Sequence, residues 1–213
     1  MLAYVSWHLP APAVRAAAFE QALERFHRSL AHRPPSGFRG SAAFRARGLP
    51  WLAHDAGAGP GPVSGGPGAD SGDAGPLSGY EDWYLVDGWS AVGVLEEAAV
   101  ARGHQSSHEA VAAITGATKG AIYRLIEGLP RVEQAPLAVW VKRAPGHAPV
   151  TVEDLLADGV DRDAVGLWRR CLGLGPAPEY CLLAAEPPAG VSPSRLPAGW
   201  RATAISRELL WSG

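Results

Sequence analysis

Cysteine is nearly absent from this chain, with only Cys171 and Cys181 in 213 residues. Two thiols build no disulfide framework, and a chain of this length buries a sizeable core without disulfides or metal, so packing must hold the fold. Both cysteines fall in segments that read as helix or strand interior and are expected to be buried small hydrophobes, with a bridge between them left open. Also lacking is any apolar run long enough to cross a bilayer. Met1 to Pro10 has neither the basic start nor the long apolar middle of a secretion signal. A cytoplasmic protein without membrane contact is therefore expected. Neither charge dominates: 19 basic and 21 acidic residues leave a net charge of -2, so no general attraction to nucleic acid or anionic lipid is built in. No HExxH pattern occurs. His104 and His108 have the spacing of a shared metal site, but Gly103, Ser106 and Ser107 argue against one continuous helix through them, and neither a metal nor a cofactor is expected.

What is present is a run of short amphipathic segments. Leu2 to Leu9 alternates Ala3, Val5, Trp7 and Leu9 against Tyr4, Ser6 and His8, the period of a strand. Val14 to Ala31 places Phe19, Leu23, Phe26 and Leu30 on one helical stripe. Phe38 to Arg47 alternates again, with Arg39, Arg45 and Arg47 on one face. Residues 56–79 are almost entirely Gly, Pro, Ala, Ser and Asp, a composition that buries too little to offset the entropy of ordering, and are expected to form a flexible insertion. Tyr80 to Val86 reads as a third strand, and Trp89 to Ala101 as a helix capped by Asp87. His108 to Thr115 reads as a shorter helix capped by Ser106 or Ser107, and Gly120 to Glu127 as a fourth strand.

The order strand, helix, strand, strand, helix, strand is that of a ferredoxin-like α+β unit, an antiparallel sheet with helices on one face. This unit is expected over residues 1–130, leaving the other sheet face to be covered. A second, partial ferredoxin-like unit is expected over 136–213. Its strands would be Leu137 to Lys142, Tyr180 to Ala185 and Trp200 to Leu210, with two helical stretches between Val152 and Leu172.

The stretches Tyr80-Glu81-Asp82-Trp83-Tyr84-Leu85-Val86, Ala121-Ile122-Tyr123-Arg124-Leu125, and Trp168-Arg169-Arg170 leading into Pro176-Ala177-Pro178-Glu179-Tyr180-Cys181 resemble the dimeric α+β-barrel superfamily, in an uncharacterised branch. The resemblance implies two ferredoxin-like sheets packed face to face, within one chain or by self-association, with a pocket between them. It includes cofactor-independent monooxygenases, small isomerases, haem enzymes and proteins of no known activity, among which fold does not choose. Haem-binding branches place their proximal histidine in the second unit. Here only His147 is available, in a Pro/Gly loop, which departs from that pattern.

Tyr4, Ser6 and His8 share the wet face of the first strand, and the face bearing Arg39 and Arg45 is expected beside them. Together they would bind an acidic or phenolic small molecule, with His8 carrying a proton near neutral pH. The same residues also suit polar contacts at a sheet edge or subunit interface. Gly88-Trp89-Ser90-Ala91-Val92 has the setting of a nucleophile elbow but lacks its last glycine, and no Asp lies between Ser90 and His147. A rival reading makes 109–125 a helix-turn-helix of a DNA-binding regulator, with Thr118, Lys119 and Tyr123 facing the duplex. The acidic balance and the absence of a basic cluster oppose it. A non-catalytic oligomer is the third reading. The leading expectation is a small-molecule-binding α+β-barrel protein of unassigned reaction.

Overall fold

In a computed structural model, residues 1–52, 78–101, 103–130, 132–144, 146–147, 155, 161–174, 177–185 and 196–213 are described. They form eight strands and three α-helices: β1 (Leu2–Pro10), α1 (Ala16–His32), β2 (Phe38–Arg47), β3 (Ser78–Val86), α2 (Trp89–Val100), α3 (Gln105–Ala112), β4 (Thr115–Gly128), β5 (Leu137–Arg143), β6 (Val165–Leu174), β7 (Tyr180–Ala184) and β8 (Trp200–Ser212). The expected insertion over 56–79 lies outside the described residues except for Ser78 and Gly79, which open β3.

The strands close into an antiparallel barrel in the order β1-β3-β2-β8-β5-β7-β6-β4. This overturns the expected ferredoxin-like fold, in which an open sheet carries helices on one face, and with it the resemblance to dimeric α+β barrels. The physical reason lies in the edges. β2 pairs with β8 from Ala42↔Ser212 to Arg47↔Ser206, and β4 pairs with β6 from Gly120↔Leu174 to Gly128↔Gly166. Each edge strand of the first half thus satisfies its backbone groups on an edge strand of the second, which closure alone achieves completely. The inner face that seemed to need a partner is buried by the chain itself. The second half is correspondingly not a partial unit packed as a separate layer: its strands complete the same wall.

Further corrections concern local structure. No helix occupies 165–172, because Val165–Leu174 is β6, preceded by a single 3-10 turn at Arg162–Ala164. The rest of the two helical stretches expected from Val152 falls outside the described residues apart from Leu155 and 161. The helix-turn-helix is overturned as well, since Thr115–Gly128 is one strand and α3 ends at Ala112. Cys171 is exposed on β6 while Cys181 is buried on β7, and neither is bridged. Asp87 caps nothing: Gly88 holds the N-cap of α2, and Asp87 pairs with Arg39. Likewise His104, not a serine, stands at the N-cap of α3.

Period-two alternation sorts the side chains. Trp7, Phe44, Trp83, Tyr123, Trp140 and Trp168 point inward with Ala and Leu neighbours, and Trp51 enters from the 3-10 turn Pro50–Leu52. The rings meet edge to face, Trp7 with Trp140 at 5.1 Å between centroids and Trp83 with Trp168 at 5.3 Å. Burying one such side chain is worth about 1.5–3 kcal/mol, so the interior is the main source of stability. It is solid. Within it, Glu81 accepts from Trp7 Nε1 at 3.0 Å, Trp83 Nε1 at 2.8 Å and Arg207 Nη1 at 2.8 Å. Arg207 also donates to the carbonyls of Ala135 and Val132 and lies 4.0 Å from the Phe44 ring centroid. This ion pair joins β3 of the first half to β8 of the second, with both side chains fully buried.

Candidate functional site

The inward side chains pack against one another inside the barrel, and the best-formed cavity lies outside it. The helices α1, α2 and α3 lie over the outer face of β1, β3 and β4, and a cavity of about 880 Å³ remains between helices and sheet. Its sheet side is set by register. Tyr4 stands opposite Tyr84 and Ile122, Ser6 opposite Asp82 and Gly120, and His8 opposite Tyr80 and Thr118. Three strands therefore bring Tyr4, Ser6, His8, Asp82, Tyr84 and Thr118 to one wall, and Phe26 of α1, Leu95 of α2 and His108 and Val111 of α3 face them. Gly120 makes room for this arrangement: a Cβ there would stand 2.7 Å from the Tyr4 hydroxyl.

Asp82 is the centre. Its carboxylate is fully buried, with Oδ2 3.0 Å from His8 Nε2 and Oδ1 3.6 Å from His27 Nε2. Tyr84 donates its hydroxyl to Asp82 Oδ2 at 3.4 Å. Its ring stacks on His27 with centroids 4.9 Å apart and planes 4° from parallel. On its far side His27 Nδ1 meets Ser41 Oγ at 2.8 Å. Burial by itself pushes a carboxyl up, but His27 and His8, by hydrogen bonding and by charge, outweigh it and hold Asp82 well below the usual carboxylate range. The same desolvation raises the Tyr84 hydroxyl well above its ordinary value and raises Tyr4 too, so both remain protonated donors near neutrality. Burial lowers His108.

An ionised Asp82 accepts the Nε2 proton of His8, and in the neutral ring this leaves the lone pair on Nδ1. That nitrogen is buried and has no hydrogen-bond partner among the described residues. His8 lines the cavity, is oriented by a carboxylate and keeps one ring nitrogen without a partner, which supplies the elements of a general base once that nitrogen is uncovered.

Of the residues expected from the sequence, Tyr4, Ser6 and His8 line the cavity together. Arg39 and Arg45 do not. Arg39 is exposed and pairs with Asp87, and Arg45 is held by Glu20, at 2.7 Å from Nη2, and by Glu208. Tyr80 also donates to Glu20, at 3.0 Å, and its hydroxyl is pushed up to about 12 by burial and by that carboxylate. This cluster lies on the same outer face but across β3 from His8. His104 is separated from His108 in role: it bonds Ser29 Oγ at 3.0 Å and the Arg33 carbonyl at 3.2 Å, tying α3 to the end of α1. Among the described residues, no three His, Cys, Asp or Glu side chains gather as a metal site. Lys119, placed against DNA in the rival reading, is buried and donates to the Trp51 carbonyl at 2.7 Å.

Asp82, Tyr84 and His27 were missed, and His108 was considered only as a metal ligand beside His104. A signal existed for each of the first three. Tyr80, Asp82 and Tyr84 share one face of the predicted third strand, where an Asp amid aromatics invites the question of its partner. His27 sits on the apolar stripe of the helix between Phe26 and Leu30. No family model, curated protein or solved structure matches this chain, so the resemblance to dimeric α+β barrels gains no support from relatives.

Proposed function

We propose that this protein binds a small molecule in the cavity beneath its helices and that His8 exchanges a proton with it, with Asp82 as the positioning residue. One observation carries the reading: a fully buried carboxylate pairs with a histidine at the wall of an 880 Å³ cavity while that histidine's Nδ1 stays unpaired. Desolvating such a pair costs several kcal/mol, and an apolar pair would cover the sheet at least as well, so a purely structural role does not account for it. The volume falls in the range that holds drug-sized ligands. A cytoplasmic place of action belongs to this reading, supported by the scarcity of cysteine; among the described residues, no helix is long and apolar enough to cross a membrane.

The test is a thermal-shift screen of a chemically diverse library against the wild type, His8→Ala and Asp82→Asn. Ligands that raise the wild-type Tm are expected to lose most of that effect in His8→Ala. In Asp82→Asn they should bind with a changed pH dependence. Equal shifts in all three chains, or no shift from any compound, would overturn the proposal.

A further inference from the structure

The cavity is polar at one end and apolar along the rest. Tyr4, Ser6, His8 and Thr118 supply hydroxyls and one ring nitrogen, with Ser6 Oγ 3.4 Å from Thr118 Oγ1. Beyond them the walls are Phe26, Leu95, Val111 and Ile122. Among the exposed lining residues, beside Glu96 and Thr118, three are large and apolar: Trp89 is 49% accessible, Val100 50% and Leu172 50%. Large hydrophobic side chains left in water at the rim of a cleft mark the path of an apolar ligand.

Charge narrows the choice. Among the described residues lining the cavity, none is Arg or Lys, whereas Asp82 and Glu96 are carboxylates. Arg39 and Arg45 of the outer face are already engaged, Arg39 by Asp87 and Arg45 by Glu20 and Glu208. An anionic head group would add another negative charge beside Asp82 with only histidines to answer it. A hydroxyl fits better, because it adds no charge beside Asp82 and the hydroxyls of Tyr4, Ser6 and Thr118 supply its hydrogen bonds.

We infer that the cavity takes a neutral, elongated hydrophobic molecule bearing one hydroxyl, an alcohol or a phenol, with the hydroxyl among Tyr4, Ser6, His8 and Thr118 and the tail along Phe26, Leu95, Val111 and Ile122. This rests on the binding site proposed above and narrows it to a ligand class.

Titration calorimetry with matched probes tests it: 4-alkylphenols, linear alkanols, alkylbenzenes without a head group and 4-alkylbenzoates, each over a series of chain lengths. Phenols or alkanols are expected to bind about tenfold tighter than the alkylbenzene of equal length. Affinity should rise roughly fourfold per methylene until the tail reaches the rim. Benzoates should bind more weakly than phenols. The phenol and alkanol arms separate aromatic from aliphatic alcohols. His8→Ala should abolish the head-group preference and leave the length dependence. Leu172→Asp, at an exposed position, should flatten the length dependence and leave the preference. The wild-type series decides by itself if a variant fails to fold. Benzoates binding as tightly as phenols, or affinity independent of length, would overturn the ligand class while leaving the cavity a binding site. Silence from these probes and from the diverse library would overturn both.

Discussion

On the first half of the barrel, β1 and β3 turn Tyr4, Ser6, His8, Tyr80, Asp82 and Tyr84 outward beneath the helices. On the second half, β5 and β7 turn Val139, Val141, Tyr180, Leu182 and Ala184 outward into a hydrophobic cluster with Leu155, Val165 and Trp200. Strand order is the same in both, β4-β1-β3-β2 and β8-β5-β7-β6. Ser6 pairs with Asp82 on the outer face of the first half, and Val139 pairs with Leu182 on that of the second. Among the described residues, the second half presents aliphatic and aromatic side chains on this wall. The buried Asp82 with its two histidines is therefore an addition whose desolvation cost the fold does not require, which is why the site is sought there.

Placing a charge where the second half has none gives the largest expected effect. Leu182→Asp would bury a carboxylate without a cation and should cost about 3–5 kcal/mol or prevent folding, read by chemical denaturation. The interior pair that ties the halves together comes next: Arg207→Met strands Glu81 in the barrel and should cost about 3 kcal/mol, with the denaturation midpoint falling and the slope unchanged. Asp82→Asn should cost about 1–3 kcal/mol, because His8 and His27 lose their shared acceptor but keep a polar neighbour.

Acid should act on the first half selectively. Asp82 has a folded pKa below its unfolded one, so its contribution is present above the unfolded value of about 3.9 and is lost as pH falls below it. His104 and His108 are also depressed, by burial, so the unfolded chain binds their protons first and stability declines as pH drops below about 6.5. Stability measured against pH should thus fall in two stages, and Asp82→Asn should remove the lower one. A profile unchanged in that variant would break the contrast between the halves. The smallest effect is expected from Arg39→Ala, whose exposed pair with Asp87 should leave thermal stability unmoved.

Much of the local structure was legible. Phe38–Arg47 is the strand its alternation predicts, and the first strand and first helix lie within two residues of expectation, since burial on one face imposes a periodicity that survives in the sequence. The reading failed where the pattern was ambiguous: Gly166 to Leu172, with Arg169 and Arg170 adjacent in its middle, carries no clear period, and its expected helix proved to be β6. The site was half visible. The wet face of β1 could be read from Tyr4, Ser6 and His8, whereas Arg39 and Arg45 were assigned to it because a shared face does not specify which strand stands between. β3 does, and its Asp82 takes the partner's place.

Alternation and helical stripes, which depend on neighbours a few residues apart, were thus determined by the sequence itself: which side chains point inward, which outward, and that Tyr4, Ser6 and His8 travel together. Closure of the barrel was decided only by tertiary structure, as were the meeting of Glu81 with Arg207 and of His8 with Asp82. Each depends on register between strands far apart in the chain, and register is set by satisfying edges and filling the interior all at once, a condition no single segment carries.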